Sequence, residues 1–196
     1  MSSLLRPAIV LFAFFTVLTG ILYPVAITGI AQLVFTQAAS GSILLRDGKP
    51  IGSALIGQNF SDPKYFWGRL SATSPQPYGG TASSGSNLGP LNPALTDAVK
   101  ARIQALRTAD PGNGAPVPVD LVTASASGLD PEISIAAALY QAPRVARVRA
   151  VDVMEIRKLL AAHSKHPVLG IFGEPRVNVL ALNLALDGLA PPTASR

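Results

Sequence analysis

A-I-V-L-F-A-F-F-T-V-L-T-G-I-L-Y-P-V-A-I-T-G-I-A-Q-L-V-F, residues 8–35, is the stretch on which the reading of this chain turns. It carries no charge, and the uncharged run extends from Pro7 to Leu45. At 1.5 Å per residue, about twenty such residues cross a hydrocarbon core of about 30 Å. Twelve residues between Ile9 and Thr28 are Leu, Ile, Val or Phe. Each favours insertion by about 0.3 to 0.6 kcal/mol at a central position. The apolar core of a secretory signal is shorter, about 7–15 residues, and is followed by a small-x-small cleavage site. Gln37-Ala38-Ala39 matches such a site poorly, so residues 8–35 read as one uncleaved transmembrane helix behind a short N-terminal segment, 1–7. Arg6 before the span and Arg46 and Lys49 after it nearly balance the positive-inside rule, which leaves the orientation open. Inside the span Pro24 lacks an N–H and predicts a kink or outside support. Thr16, Gly20, Pro24 and Thr28 recur at i+4 as a slim seam on which another helix could pack in lipid.

The rest of the chain is of another character. Of 196 residues, 16 are Lys or Arg and 11 Asp or Glu, a net charge of +5 that is too small and too spread to point to nucleic acid. There is no cysteine, which excludes disulfides, thiol catalysis, iron–sulfur clusters and Cys-ligated zinc. After a linker at 36–41, residues 42–188 predict a mixed α+β domain, and 189–196 a loose tail.

Within that domain Asp47-Gly48 signals a hairpin between Ser42–Leu45 and Ile51–Ile56. Ser61 or Asp62 followed by Pro63 predicts a helix start, with Tyr65, Phe66 and Trp67 unable to share one face. Leu70–Thr96 is an uncharged loop rich in Pro, Gly and Ser, of the length that marks a functional or disordered segment. Gly80–Gly85 imitates a phosphate loop, but Ser86-Asn87 stands where Lys-Ser/Thr is needed, so the loop reads as one pinned by Asn and Ser side chains. Asn92-Pro93 opens a helix with Leu95, Val99, Ile103 and Leu106 on its apolar face. Val117–Thr123 predicts a strand; Ser134 caps a helix that Pro143 stops or kinks near Ala142. Asp152 caps another helix, Val168–Phe172 predicts a strand, and Val177–Leu186 fits both periods, with its Leu and Ala content favouring helix.

Few residues suggest chemistry. Ser125 and Ser127 invite a membrane-anchored hydrolase, yet no Gly-x-Ser-x-Gly elbow is present and nothing marks His163 or His166 as a base. Those histidines lack a third metal ligand. Asp62, Asp120 and Asp130 sit where structural carboxylates belong. Arg144, Arg147 and Arg149, with Arg157 and Lys158, form a basic stretch suited to an anionic headgroup or an acidic partner surface.

Several stretches together resemble the KdpC family, the C subunit of the bacterial Kdp potassium-transporting P-type ATPase. They are Gly57–Arg69 (G-Q-N-F-S-D-P-K-Y-F-W-G-R), Ser84–Pro93, Pro118–Pro131, Ala138–Arg147 and Gly173–Asp187, in order and with the anchor in front. Leu70, Ser84 and Ile135 depart from the family's pattern. The resemblance implies a non-catalytic, single-pass inner-membrane subunit with a periplasmic domain. Its partners would be membrane lipid, the potassium-translocating A subunit, the ATP-hydrolysing B subunit and a small F subunit, with no nucleic acid. It further implies a catalytic chaperone that raises the B subunit's affinity for ATP, with no cofactor or metal of its own. By its place before Pro-Arg-Val-Ala, Gln141 would be the residue linked to nucleotide. Asn59, Phe60, Arg69, Ser86, Asn87, Ser125, Ser127, Asp130 and Arg144 would structure loops or meet partners.

Overall fold

A computed structural model describes residues 2–167 and 169–189. The chain forms two compact units that part after Ile51.

The first unit is led by a helical run: α1 (Ser2–Val17), a π-helical turn (Leu18–Leu22) and α2 (Tyr23–Val34). Leu4–Val34, 31 residues, is long and apolar enough to cross a membrane. The π turn accommodates Pro24. A proline ring collides with the carbonyl four residues earlier, here that of Gly20. Widening the preceding turn, with the Tyr23 N–H bonded to Leu18 O, relieves that crowding without breaking the helix. Thr16 and Thr19 donate their hydroxyls to Phe12 O and Phe15 O at 2.8 and 2.7 Å, as a hydroxyl facing lipid must. Residues 36–41, expected as plain linker, include a helical turn, α3 (Thr36–Ala39). The hairpin comes next as β1 (Ile43–Arg46) and β2 (Lys49–Ser53), with Asp47 and Gly48 both left-handed at φ 52° and 74°. Its second strand begins and ends earlier than Ile51–Ile56.

In the second unit helices pack around a small antiparallel sheet. Its elements are α4 (Pro93–Ala109), a 3₁₀ turn (Val119–Leu121), β3 (Glu132–Ser134), α5 (Ile135–Arg149), α6 (Val153–His163), β4 (Ser164–Lys165), β5 (Arg176–Asn178) and α7 (Val179–Asp187). The strand order is β3-β5-β4, with Ile133 opposite Val177, both buried. Four helices carry side-chain caps: Asn92, Ser134, Asp152 and Asn178 accept from Ala94, Ala137, Met154 and Ala181 N–H groups. The core joins Phe66, Leu106, Leu121, Ile133, Ala137, Val145, Ile156, Leu160, Val177 and Leu182.

Three expectations are corrected. Val117–Thr123 is not a strand, because Asp120 turns its carboxylate back onto the Ser134 N–H and hydroxyl, at 2.8 and 3.2 Å. Pro143 does not end α5; it sits well inside a helix that closes only at Ala150, left-handed at φ 54°. Of the strand expected at Val168–Phe172, Val168 lies outside the described residues and Leu169–Ile171 form a turn. The strands lie on either side of it, at β4 and β5. The helix favoured for Val177–Leu186 does form, from Val179 onward, after two residues that belong to β5. Of the expected tail, residues 190–196 lie outside the described residues.

Candidate functional site

The helix expected after Pro63 does not form. Asp62 accepts the Lys64 N–H at 3.0 Å and closes a single turn, and the chain then runs extended to Leu70 across the helices. Phe66 and Trp67 are buried there, so neither sheet nor helix nor water supplies their backbone partners. Side chains do. Arg144, on α5, donates to Pro63 O and, at 3.1 Å, to Tyr65 O. Arg149 donates to Lys64 O at 2.8 Å. Asn183, on α7, takes the Phe66 N–H at 2.9 Å and donates to Phe66 O at 3.0 Å. Gln141 does the same for Trp67, at 2.8 and 3.1 Å. Arg102, on α4, donates to Gly68 O at 2.8 Å, and the Tyr78 hydroxyl to Arg69 O at 2.6 Å. Every carbonyl of this strap, from Pro63 to Arg69, is thus held by a side chain. The Trp67 ring lies between two guanidiniums, 4.8 Å from Arg144 and 5.1 Å from Arg102.

Gln141 and Arg144 are each 1% exposed. The Gln141 carbonyl oxygen also accepts from Arg144 at 2.8 Å, and its amide donates to Ala137 O at 3.3 Å, so every polar position of the side chain is in use. Gln141 therefore presents nothing to a nucleotide in this conformation. Burial lowers the Arg144 pKa to about 10. The basic face expected from Arg144 to Arg149 does not exist as such. Arg144 is inside, Arg147 pairs with Asp110 at 2.8 Å, and Arg149 pairs with Asp187 at 2.8 Å.

Arg69 continues the strap into the Leu70–Leu91 loop. It pairs with Asp130 at 3.2 Å and donates to Ala124 O at 3.2 Å, while Asp130 also accepts the Glu132 N–H. The loop is ordered by Ser71 and Thr73, whose hydroxyls accept the Tyr78 and Gly79 N–H groups at 2.8 and 3.0 Å. Ser86 and Asn87, expected to pin it, are exposed, and Asn87 is left-handed at φ 50°. Ser127 closes a turn onto the Leu129 N–H at 3.1 Å, and its carbonyl accepts from Ser84 N and the Ser83 hydroxyl. Ser125 is buried with its N–H on Leu70 O. The open cavity of about 550 Å³ beside both serines is lined by Arg69, Asp130 and apolar residues, with no histidine. His163 instead holds Leu159 O at the end of α6. Among the described residues a hydrolytic triad is therefore not assembled around either serine. Asn59 is exposed, and Phe60 packs on Tyr65 with ring centroids 5.4 Å apart.

Arg102, Asn183 and Tyr78 were not singled out from the sequence as site residues, and Arg149 was named there only as part of the basic stretch. Asn183, in an apolar helix among leucines, is the one position whose chemistry was visible there: a polar residue on a buried face needs a partner.

One other surface is unusual. The β4–β5 connection exposes Leu169, Ile171 and Phe172 at 83%, 79% and 65%, in a turn with no charge between Pro167 and Gly173.

Among the described residues one helix is long and apolar enough to cross a membrane, and it precedes an α+β unit in which Gln141, Arg144 and Asn183 are spent on backbone groups; that order defines a class of chains with one candidate span ahead of an α+β head. Within that class, the family model for "K+-transporting ATPase, c chain" matches residues 5–188, span included, and the chain belongs to that family. It is 66% identical over 194 residues to the potassium-transporting ATPase KdpC subunit of Polaromonas naphthalenivorans, covering 99% of each chain. It is 66% identical over 187 residues to the KdpC subunit of Ralstonia nicotianae, covering 95% of this chain and 92% of that one. The KdpC subunit of Variovorax paradoxus is 64% identical over 190 residues, covering 97% and 98%.

Proposed function

We propose that this chain is an accessory, non-catalytic subunit of a potassium-uptake ATPase, anchored in the bacterial inner membrane by residues 8–35 with its head in the periplasm. The observation that carries the reading is the match of the whole chain, span and head together, to ATPase C chains. Its partners are the potassium-translocating and ATP-hydrolysing subunits and a small fourth one. The apolar turn at Leu169–Phe172 supports docking, since three large side chains in water favour an apolar contact.

As a catalytic chaperone it raises the ATP affinity of the hydrolysing subunit. That subunit binds ATP on the other side of the membrane from the head. The effect is then a coupling free energy carried through the assembled subunits, not a contact with the nucleotide. Gln141 takes part by latching Trp67, which keeps the head in the shape its partners meet. The test is the complex carrying Leu169→Ser, Ile171→Ser and Phe172→Ser. We expect an unchanged head melting temperature, loss of co-purification and a raised KM for ATP. Full assembly with normal ATP affinity would refute the docking role of the turn.

A further inference from the structure

Between the strap and the loop behind it lies a cavity of about 90 Å³, walled by Asn59, Arg69, Ser71, Tyr78 and Arg102 among others, with no carboxylate in its lining. A water occupies about 30 Å³ of liquid, so the space suits a group of a few heavy atoms. Its charge is one-sided. Arg102 spends Nε on Leu121 O and Nη2 on Gly68 O, lies against Trp67, and has no carboxylate within 4 Å among the described residues. Burial lowers its pKa, opposed by the neighbouring Tyr78 hydroxyl. Arg69 does have a counter-ion, but its buried Nε has no hydrogen-bond partner. A half-buried guanidinium without a counter-charge is costly, and a neighbouring N–H without an acceptor adds to the cost. The missing counter-charge at Arg102 is met by one ligand chemistry, an oxyanion; the Arg69 Nε is closed to solvent and adds positive charge beside the cavity, not a contact.

We propose that this cavity is a binding site for a single oxyanion group, a carboxylate or a phosphate, held by Arg102 with Arg69 alongside. It is independent of the nucleotide and goes beyond the subunit role above. The group comes either from a free anion or from an acidic side chain of a neighbouring subunit. The two sources share the same recognition, namely planar guanidinium donors in a pocket from which acids are absent.

The experiment uses the full-length chain in detergent and, in parallel, the intact complex. Inorganic phosphate and acetate are titrated at ionic strength held constant with sodium chloride, and the melting of the head is followed. Binding to the folded form raises the melting temperature with concentration. We expect that rise in the isolated chain, with Arg102→Met weakening the apparent affinity more than about tenfold. The same rise in the complex assigns the occupant as a free anion. A rise confined to the isolated chain assigns it as an acidic side chain of another subunit. Because Arg102→Met also releases two carbonyls, Asn59→Asp serves as a second variant. It keeps the shape of the wall and supplies a carboxylate from within, so it should melt higher than the wild type and ignore added anion. No response of the wild-type chain to either anion, or a lower melting temperature for Asn59→Asp, would overturn the site.

Discussion

Gln141 bonds to Trp67 as a neighbouring β-strand would, accepting its N–H at 2.8 Å and donating to its carbonyl at 3.1 Å, although 74 residues separate them. Asn183 repeats the device on Phe66 across 117 residues. Two amide side chains from different helices thus replace one missing strand. The end of the family stretch, Phe66–Arg69, stays out of helix because these partners, not its own propensity, satisfy its backbone.

Truncating either amide strands a buried N–H and a buried carbonyl, at about 1–3 kcal/mol for each group. Gln141→Ala should lower the melting temperature of the head by about 10 °C, and Asn183→Ala should do nearly the same. If Gln141 acts through the strap, both variants raise the KM for ATP of the complex together. A raised KM in Gln141→Ala alone would point instead to a role private to that residue.

The buried Arg144 makes a prediction about pH. Its pKa is about 10 in the folded head, lowered mainly by burial from the usual guanidinium range. Below about pH 10 the guanidinium is charged in both folded and unfolded chains, so its contribution is independent of pH. Above about pH 10 the unfolded chain, whose guanidinium keeps its ordinary higher pKa, binds more protons, and this contribution to stability rises with pH. Wild type and Arg144→Met should therefore differ in melting temperature by a constant amount from about pH 6 to 9, with the gap changing only above about 10 as this contribution rises. Thermal melts of the two in parallel check this; a gap that changes near neutrality would show that another group is responsible.

Gly128 is where the Ser125–Ser127 segment meets the Leu70–Leu91 loop. It is left-handed at φ 69°, and a Cβ there would lie 2.6 Å from Ser84 O and from the Thr73 methyl. Gly128→Ala should cost more than about 2 kcal/mol and open the Leu70–Leu91 loop to protease. Gly112, with nothing within 4 Å of an added Cβ, is the control and should be near neutral.

The span predicts resistance to alkaline extraction from membranes. A Cβ added at Gly20 meets nothing within 4 Å beyond its own helix. Gly20→Leu therefore leaves this chain undisturbed, and any loss of co-purification with the pump reports a neighbouring helix. Recovery equal to wild type would remove Gly20 from the interface.

What local chemistry specifies was legible. The span, the Asp47-Gly48 turn and the caps at Asn92, Ser134 and Asp152 rest on neighbours a few residues away. The helix expected after Pro63 failed for the opposite reason. Of the two caps offered, Ser61 and Asp62, Asp62 does accept the Lys64 N–H, but it closes only a turn, because the carbonyls beyond it are claimed by Arg144, Arg149, Asn183, Gln141 and Arg102 from three distant helices. The basic face was misread in the same way, because charge is visible in sequence while burial is not.

By itself, the amino-acid order determined a helix long and apolar enough to cross a membrane, the α+β class and the family, since apolar length, capping residues and ordered motifs are properties of adjacent residues. Only the tertiary structure decided that Arg144 and Gln141 face inward, and that Arg102 is left without a counter-ion beside Arg69. Those outcomes depend on which groups are excluded from water together, and that is settled by packing between elements far apart in the chain.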